Sequence, residues 1–371
     1  MLRWLAPISM LMATTALADA PRVATDIAPV HSLVSQVMKG VGEPDLIIPP
    51  SASPHGYAMR PSEARALSNA QLVVTVGHAL TPWLEEPIEN LAGEAVKLEL
   101  MDISGMTLLS YREGDGFEAH DHDHGHGHGH DDHDDHDDHA EHDEHDHDKH
   151  DDHDHAKHED DHDDHDHAKE EGHDHDDHDH AKHDDHDDHD EHDHAAHGEG
   201  ETDPHIWLDP ANGATALAAI AETLSEIDPE NAATYQANAA EGQAVLATLT
   251  AEVQATVAPA AGKPFIVFHD AYQYFEGQFG LAAVASVLAG DAATPGAARM
   301  TELRDQVADA AAVCAFSEPQ MNQGLLNTVV EGQGTKIAVL DPLGVDLPLG
   351  PDHYPTLLRN MAESLANCLT E

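Results

Sequence analysis

Residues 228–270, DPENAATYQANAAEGQAVLATLTAEVQATVAPAAGKPFIVFHD, decide the fold. Asp228-Pro229-Glu230 opens a helical stretch that runs to Val257, interrupted only by Gly242. At 1.5 Å per residue, some 27 residues span roughly 40 Å. That is long for one lobe and suits a rigid connector between two. Lys263-Pro264 then breaks the helix, and Phe265–Phe268 reads as a short buried strand. Downstream, strand candidates recur at Leu281–Val287, Ala311–Phe316 and Lys336–Leu340. Upstream, Arg22–Ile27, Asp45–Ile48, Gln71–Val76 and Ala95–Leu100 form a matching set. Helical segments at Ser32–Gly40, Pro61–Asn69 and Ala214–Ile227 lie among and after them. Strands alternating with helices predict an α/β chain of two lobes, each a mainly parallel sheet flanked by helices. The expected division is 21–228, linker helix 229–258, and 259–371.

The 371 residues carry a formal charge of −56, from 72 Asp+Glu against 16 Lys+Arg. Nothing resembles the basic footprint of a nucleic-acid binder, and anionic membrane surfaces are disfavoured. Residues 1–20 read as a secretory signal peptide: Arg3, an apolar run from Trp4 to Leu17, then Ala18-Asp19-Ala20 as an A-x-A cleavage site. The run is too short to span a bilayer, and no cysteine near residue 20 offers a lipid anchor. A soluble, unanchored, monomeric protein of an oxidising compartment is expected. Cys314 and Cys368 are the two cysteines, and an even pair there favours a disulfide. A thiolate metal site is the competing reading, and the absence of C-x-x-C spacing argues against it.

Residues 120–197 contain 29 of the 35 histidines, with 35 Asp/Glu and 4 Lys. HDHAK recurs at 153–157, 165–169 and 178–182. With almost no apolar side chains, such an insertion is expected to be disordered. Imidazole at this density points to metal, because neutral histidine is a common ligand and carboxylates add attraction. His122, His124, His126, His128, His130 and the other histidines of the tract are therefore expected to be weak, accessory metal sites. A plain acidic linker would need no histidine.

Six histidines lie outside the tract. Three share a context of turn or strand end: His55 in SASPHGYAMRPSE, His205 in DPHIWLDP and His269 in PFIVFHDAYQYFE. In open α/β sheets ligands bind beyond the carboxyl ends of the strands. Three imidazoles converging there would make a zinc-type site with one open position. Asp341, in KIAVLDPLG, could fill or border that position; a turn-capping role is its alternative. His31 reads as a helix-start residue and His353 as a surface residue, while His78 follows a strand candidate in TVGHALTPWLE and stays open.

Together, HGYAMRPSEARALSNAQLVVTVG, DPHIWLDP, DPENAATYQAN, FIVFHDAYQYF, FSEPQ and LDPLG resemble the zinc-binding component of bacterial high-affinity zinc-uptake ABC transporters, among the metal-specific solute-binding proteins. The resemblance implies two α/β lobes joined by a rigid helix, with one transported Zn²⁺ in the cleft at His55, His205 and His269. It also implies delivery to a membrane permease subunit that works with a cytoplasmic ATPase. A charged His-rich insertion and a C-terminal cysteine pair fit the same branch. Some members carry Glu before the first ligand histidine, where this chain has Pro54, so water or Asp341 must complete the sphere. Histidine at the third position favours zinc over manganese, which prefers oxygen. Two other functions stay open on the residues alone. A metallohydrolase would need a general base, for which Asp341 or Glu318 could be proposed, but the chain has no H-E-x-x-H. A periplasmic zinc buffer or sensor would make the tract the main functional element.

Overall fold

The computed structural model describes residues 20–112, 202–288 and 296–371. The signal-peptide reading, apart from Ala20, and the His/Asp tract with its accessory sites lie outside the described residues.

The first half alternates β1 (Val23–Thr25), α1 (Ala28–Val37), β2 (Asp45–Leu46), α2 (Pro61–Asn69), β3 (Leu72–Thr75), α3 (Glu85–Leu91) and β4 (Val96–Glu99). Then come α4 (Pro210–Ile227) and α5 (Ala232–Val257). The second half alternates β5 (Phe265–His269), α6 (Gln273–Phe279), β6 (Ala285–Leu288), α7 (Ala297–Asp309), β7 (Cys314–Ser317), α8 (Gln323–Val330), β8 (Lys336–Val339) and α9 (His353–Thr370).

Each half forms one four-stranded sheet, in the orders β2-β1-β3-β4 and β6-β5-β7-β8, and every pairing is parallel. The expected two-lobed α/β architecture is what the chain adopts. Strand β5 shows why the sheets are parallel: Phe265 and Val267 enter one apolar cluster, Ile266 and Phe268 the other. With two apolar faces, the strand needs helices on both sides. In each sheet the chain leaves the first strand on one side and returns on the other. The resulting switch point lies between β1 and β3, and between β5 and β7.

Boundaries shift where turn chemistry outweighs apolar pattern. Helix α1 starts at Ala28, not Ser32, because Pro29 fits the first turn. It is buried on all sides rather than along one stripe. Strand β6 starts at Ala285, not Leu281, because Gly280 closes α6 in a left-handed cap and pairing begins only where the Val284 N–H reaches Phe265 O. His353 is a correction: expected at the surface, it is 2% exposed at the start of α9, its ring nitrogens facing Leu343 O at 2.8 Å and Pro348 O at 3.2 Å.

Helix α5 has 26 residues, about 39 Å. Near its start Asn238 donates to Val37 O and Lys39 O, and near its end Gln254 donates to Phe279 O, so it is bonded to both halves. Gly242 is required by packing: a Cβ there would meet Leu217 Cδ1 and Gln36 Oε1 at 2.8 and 2.9 Å. Cys314 in β7 is disulfide-bonded to Cys368 in α9. Among the described residues no helix is long and apolar enough to cross a membrane.

Candidate metal centre

His269 is the last residue of β5, and Glu318 directly follows β7. The two therefore face each other across the switch point of the second sheet, and His269 Nδ1 lies 2.5 Å from Glu318 Oε1. Both side chains are buried. His205 enters from the segment before α4. Asp203, two residues earlier and fully buried, accepts from the backbone N–H of His205 at 2.9 Å and from its Nδ1 at 2.7 Å. An acceptor on each Nδ1 makes that nitrogen the protonated one. That tautomer puts the lone pair of each ring on Nε2, the nitrogen that can ligate a cation.

Those two Nε2 atoms are 3.3 Å apart. A tetrahedral centre with Zn–N bonds of about 2.0–2.1 Å places its nitrogens about 3.3–3.4 Å apart. Two aromatic lone pairs facing at that distance repel; a cation between them turns repulsion into ligation. His55 completes the group from the loop between β2 and α2. Its ring centroid is 5.5 Å from that of His205 and 6.2 Å from that of His269. One ligand atom from each of the three histidines lies within 4.8 Å of the others. The His55 loop is tethered on two sides: Trp83 Nε1 donates to Pro54 O at 2.8 Å, and Gln320 Nε2 donates to Pro50 O at 3.0 Å. Under the rings, Trp207 sits 5.2 Å from His205 and donates to Pro342 O. The cavity they border admits the centre of a water-sized sphere over about 20 Å³, room for about one water.

The structure does not bring Asp341 into this group. Its Oδ1 accepts from the N–H of Leu343 and of Gly344, and its Oδ2 from that of Val345 at 2.6 Å: the turn-capping alternative. His78 stands apart, its Nδ1 2.9 Å from Glu85 Oε2, both well exposed. His31, in α1, is buried with Nε2 3.1 Å from Pro44 O. Sequence reasoning missed Asp203, and it named Glu318 only as a candidate general base, not as the partner of His269. Asp203 and Glu318 each sit inside a quoted motif, DPHIWLDP and FSEPQ. A carboxylate two residues from a ligand histidine was a readable signal. Glu318 is remote in sequence, and only the strand order β5-β7 places it.

Residues 23–368 match the family model described as zinc-uptake complex component A, periplasmic, ZnuA. The chain belongs to the ZnuA family. It is 44% identical over 349 residues to the high-affinity zinc uptake system protein ZnuA of Brucella suis, covering 94% of this chain and 92% of the relative. It is 41% identical over 358 residues to that of Paracoccus denitrificans, covering 96% and 94%. Among solved structures, a ZnuA crystal structure superimposes with TM-score 0.64 at 19% identity over 94% of this chain and 99% of the other. The periplasmic zinc binding protein TroA from Treponema pallidum gives 0.65 at 17% over 95% and 100%. The solved structures carry the fold, two lobes of parallel sheet.

Proposed function

We propose that this ZnuA-family chain captures one Zn²⁺ in the periplasm at His55, His205 and His269 and delivers it to the membrane permease of a zinc-uptake ABC transporter, driven by a cytoplasmic ATPase. The Nε2–Nε2 separation of 3.3 Å, with a carboxylate behind each ring, carries this reading. Water takes the fourth position, because the adjoining cavity is water-sized and both oxygens of Asp341 hold backbone N–H groups. The role is binding rather than catalysis: Glu318 is engaged with a ligand ring and Asp341 with its turn, so neither serves a bound water as general base. The zinc is cargo. The His/Asp tract, beginning with His122, His124, His126, His128 and His130, is an accessory collector that raises local zinc near the site by tethering. The lobes are 21–228 and 259–371, with 229–258 as linker.

Zinc titration against a competing chelator tests this. A chain lacking 120–197 should keep one tight equivalent, and the full chain should add weak ones. His55→Ala and His269→Ala should each lose the tight equivalent. Tight binding that survives in both variants refutes the site. Absence of a tight equivalent after the deletion puts the buffer reading first.

A further inference from the structure

Arg112 and Thr202 are the described residues that flank the insertion in the sequence, and this neck is hydrogen-bonded to the residues that hold His205 and follow His269. Asp203 N–H donates to Leu109 O at 2.8 Å, and Ser110 pairs with Thr202 in an antiparallel bridge. That alone would close the neck. The contacts go further, into the segment that follows His269. Tyr274 Oη donates to Asp203 O at 2.8 Å and accepts from Leu109 N–H at 2.9 Å. Gln273 Nε2 donates to Ser110 O at 3.0 Å and to Asp203 Oδ2 at 2.5 Å. Asp203 Oδ1 is the acceptor behind His205, so Gln273 fixes the rotation of the carboxylate that aims that ring.

On the other strand of the neck, Arg112 Nε lies 3.0 and 2.9 Å from the two oxygens of Asp270, and its Nη2 also reaches Asp270. Its Nη1 lies 2.7 Å from Glu276 Oε2. These side chains are only 18%, 10% and 5% exposed. Asp270 is the residue after His269. Two buried carboxylates beside a ligand need a compensating cation, and the neck supplies it in a chain with only 16 Lys+Arg. A guanidinium holds both through its fork, which an ammonium cannot.

We infer that Arg112 and Gln273 are positioning residues for zinc binding: Gln273 aims His205 through Asp203, Arg112 sets the backbone of His269 through Asp270, and the neck of the insertion and the ligand set are one mechanical unit. The inference rests on the zinc reading above. The consequence is that the neck tunes how tightly the cleft holds its ion, without touching that ion.

The test uses the full chain with Gln273→Met, Arg112→Met and Arg112→Lys. Three readouts are taken: chelator-competed zinc affinity of the tightest equivalent, the visible spectrum with one equivalent of Co²⁺, and the apo unfolding midpoint. Gln273→Met should weaken zinc about tenfold, the lower end for lost outer partners. It should also move the Co²⁺ bands and leave the apo midpoint in place. Arg112→Met should do at least as much, and Arg112→Lys should recover part of it. Zinc affinity within about twofold of wild type together with an unchanged Co²⁺ spectrum in Gln273→Met overturns the inference, and that variant decides alone if Arg112→Met does not fold. Failure of the zinc reading looks different: wild type itself would hold no tight equivalent, or His55→Ala and His269→Ala would bind as wild type does.

Discussion

Replacing Glu318 with Gln isolates one contribution to zinc affinity. The shape is kept and only the charge behind His269 is removed. In the native chain Glu318 Oε1 lies 2.5 Å from His269 Nδ1 with both groups buried, so the bond is charge-assisted. Such bonds contribute about 1.5–3 kcal/mol net, against about 0.5–1.5 for neutral ones. The difference, about 1–1.5 kcal/mol, corresponds to roughly five- to twelvefold in affinity. Zinc draws electron density from the ring and makes Nδ1–H a stronger donor, so the loss falls mainly on the zinc-loaded state. The apo protein should unfold near its native midpoint, because the amide oxygen of Gln still accepts the same hydrogen. Asp203→Asn should behave in parallel at His205, where the carboxylate also takes the backbone N–H. The assay is competition with a zinc chelator at pH 7.5, on protein lacking 120–197 so that only the cleft reports. Combining Glu318→Gln with His269→Ala should add nothing to His269→Ala alone, since the carboxylate acts through that ring. Zinc affinity within about twofold of wild type in both Glu318→Gln and Asp203→Asn would refute the reasoning that these carboxylates tune the ligands.

Removing the disulfide by Cys314→Ser with Cys368→Ser opens a loop with a sequence separation of 54. That costs about 4 kcal/mol on the chain-entropy model, or roughly 10 °C in the unfolding midpoint for a domain of this size; a calorimetric shift of less than about 2 °C would contradict it. Asp26, fully buried at the switch point of the first sheet, accepts from the N–H of Ile27 and Val76, yet burial outweighs those bonds and pushes its carboxyl from 3.8 up to about 7. A raised carboxyl means the folded chain keeps a proton that the unfolded chain has lost, so stability falls as pH rises from about 4 to about 7, by about 4 kcal/mol for this group. Asp26→Asn, which cannot ionise, should gain on wild type across that window in urea unfolding; a gap independent of pH would sink the argument.

The two sheets share one connection pattern and use their switch points differently. In the first sheet the point between β1 and β3 is closed by Asp26, whose Oδ2 reaches Val76 N–H at 2.6 Å. In the second sheet the same point holds His269 and Glu318. The first half instead contributes His55 from a loop held by Trp83 within its own half and by Gln320 from the other. Two of the clustered rings are therefore set by buried carboxylates, and one rides on a tethered loop.

What the sequence revealed, and what it hid, follows the range of the interactions. Phe265–Phe268, Pro61–Asn69 and the long helix to Val257 were legible because apolar period, Pro and length are local signals, and the helix beginning at Pro61 agrees to the residue. The clustering of His55, His205 and His269 was legible because each sits at a turn or strand end. Asp341 and His353 were not, and for the same reason. An Asp before Pro342 looks alike whether it binds metal or caps a turn, and what decides is that the chain folds back to offer the N–H groups of Leu343, Gly344 and Val345. His353 is drawn inside by the carbonyls of Leu343 and Pro348, which belong to that same turn. One local event, the closure of residues 341–353 on themselves, thus engages a carboxylate with backbone N–H groups and buries an imidazole that no pattern marked. Leu343 and Pro342 also line the cavity beside the three histidines, so the turn that engages both oxygens of Asp341 packs against that group without adding the Asp341 carboxylate to it.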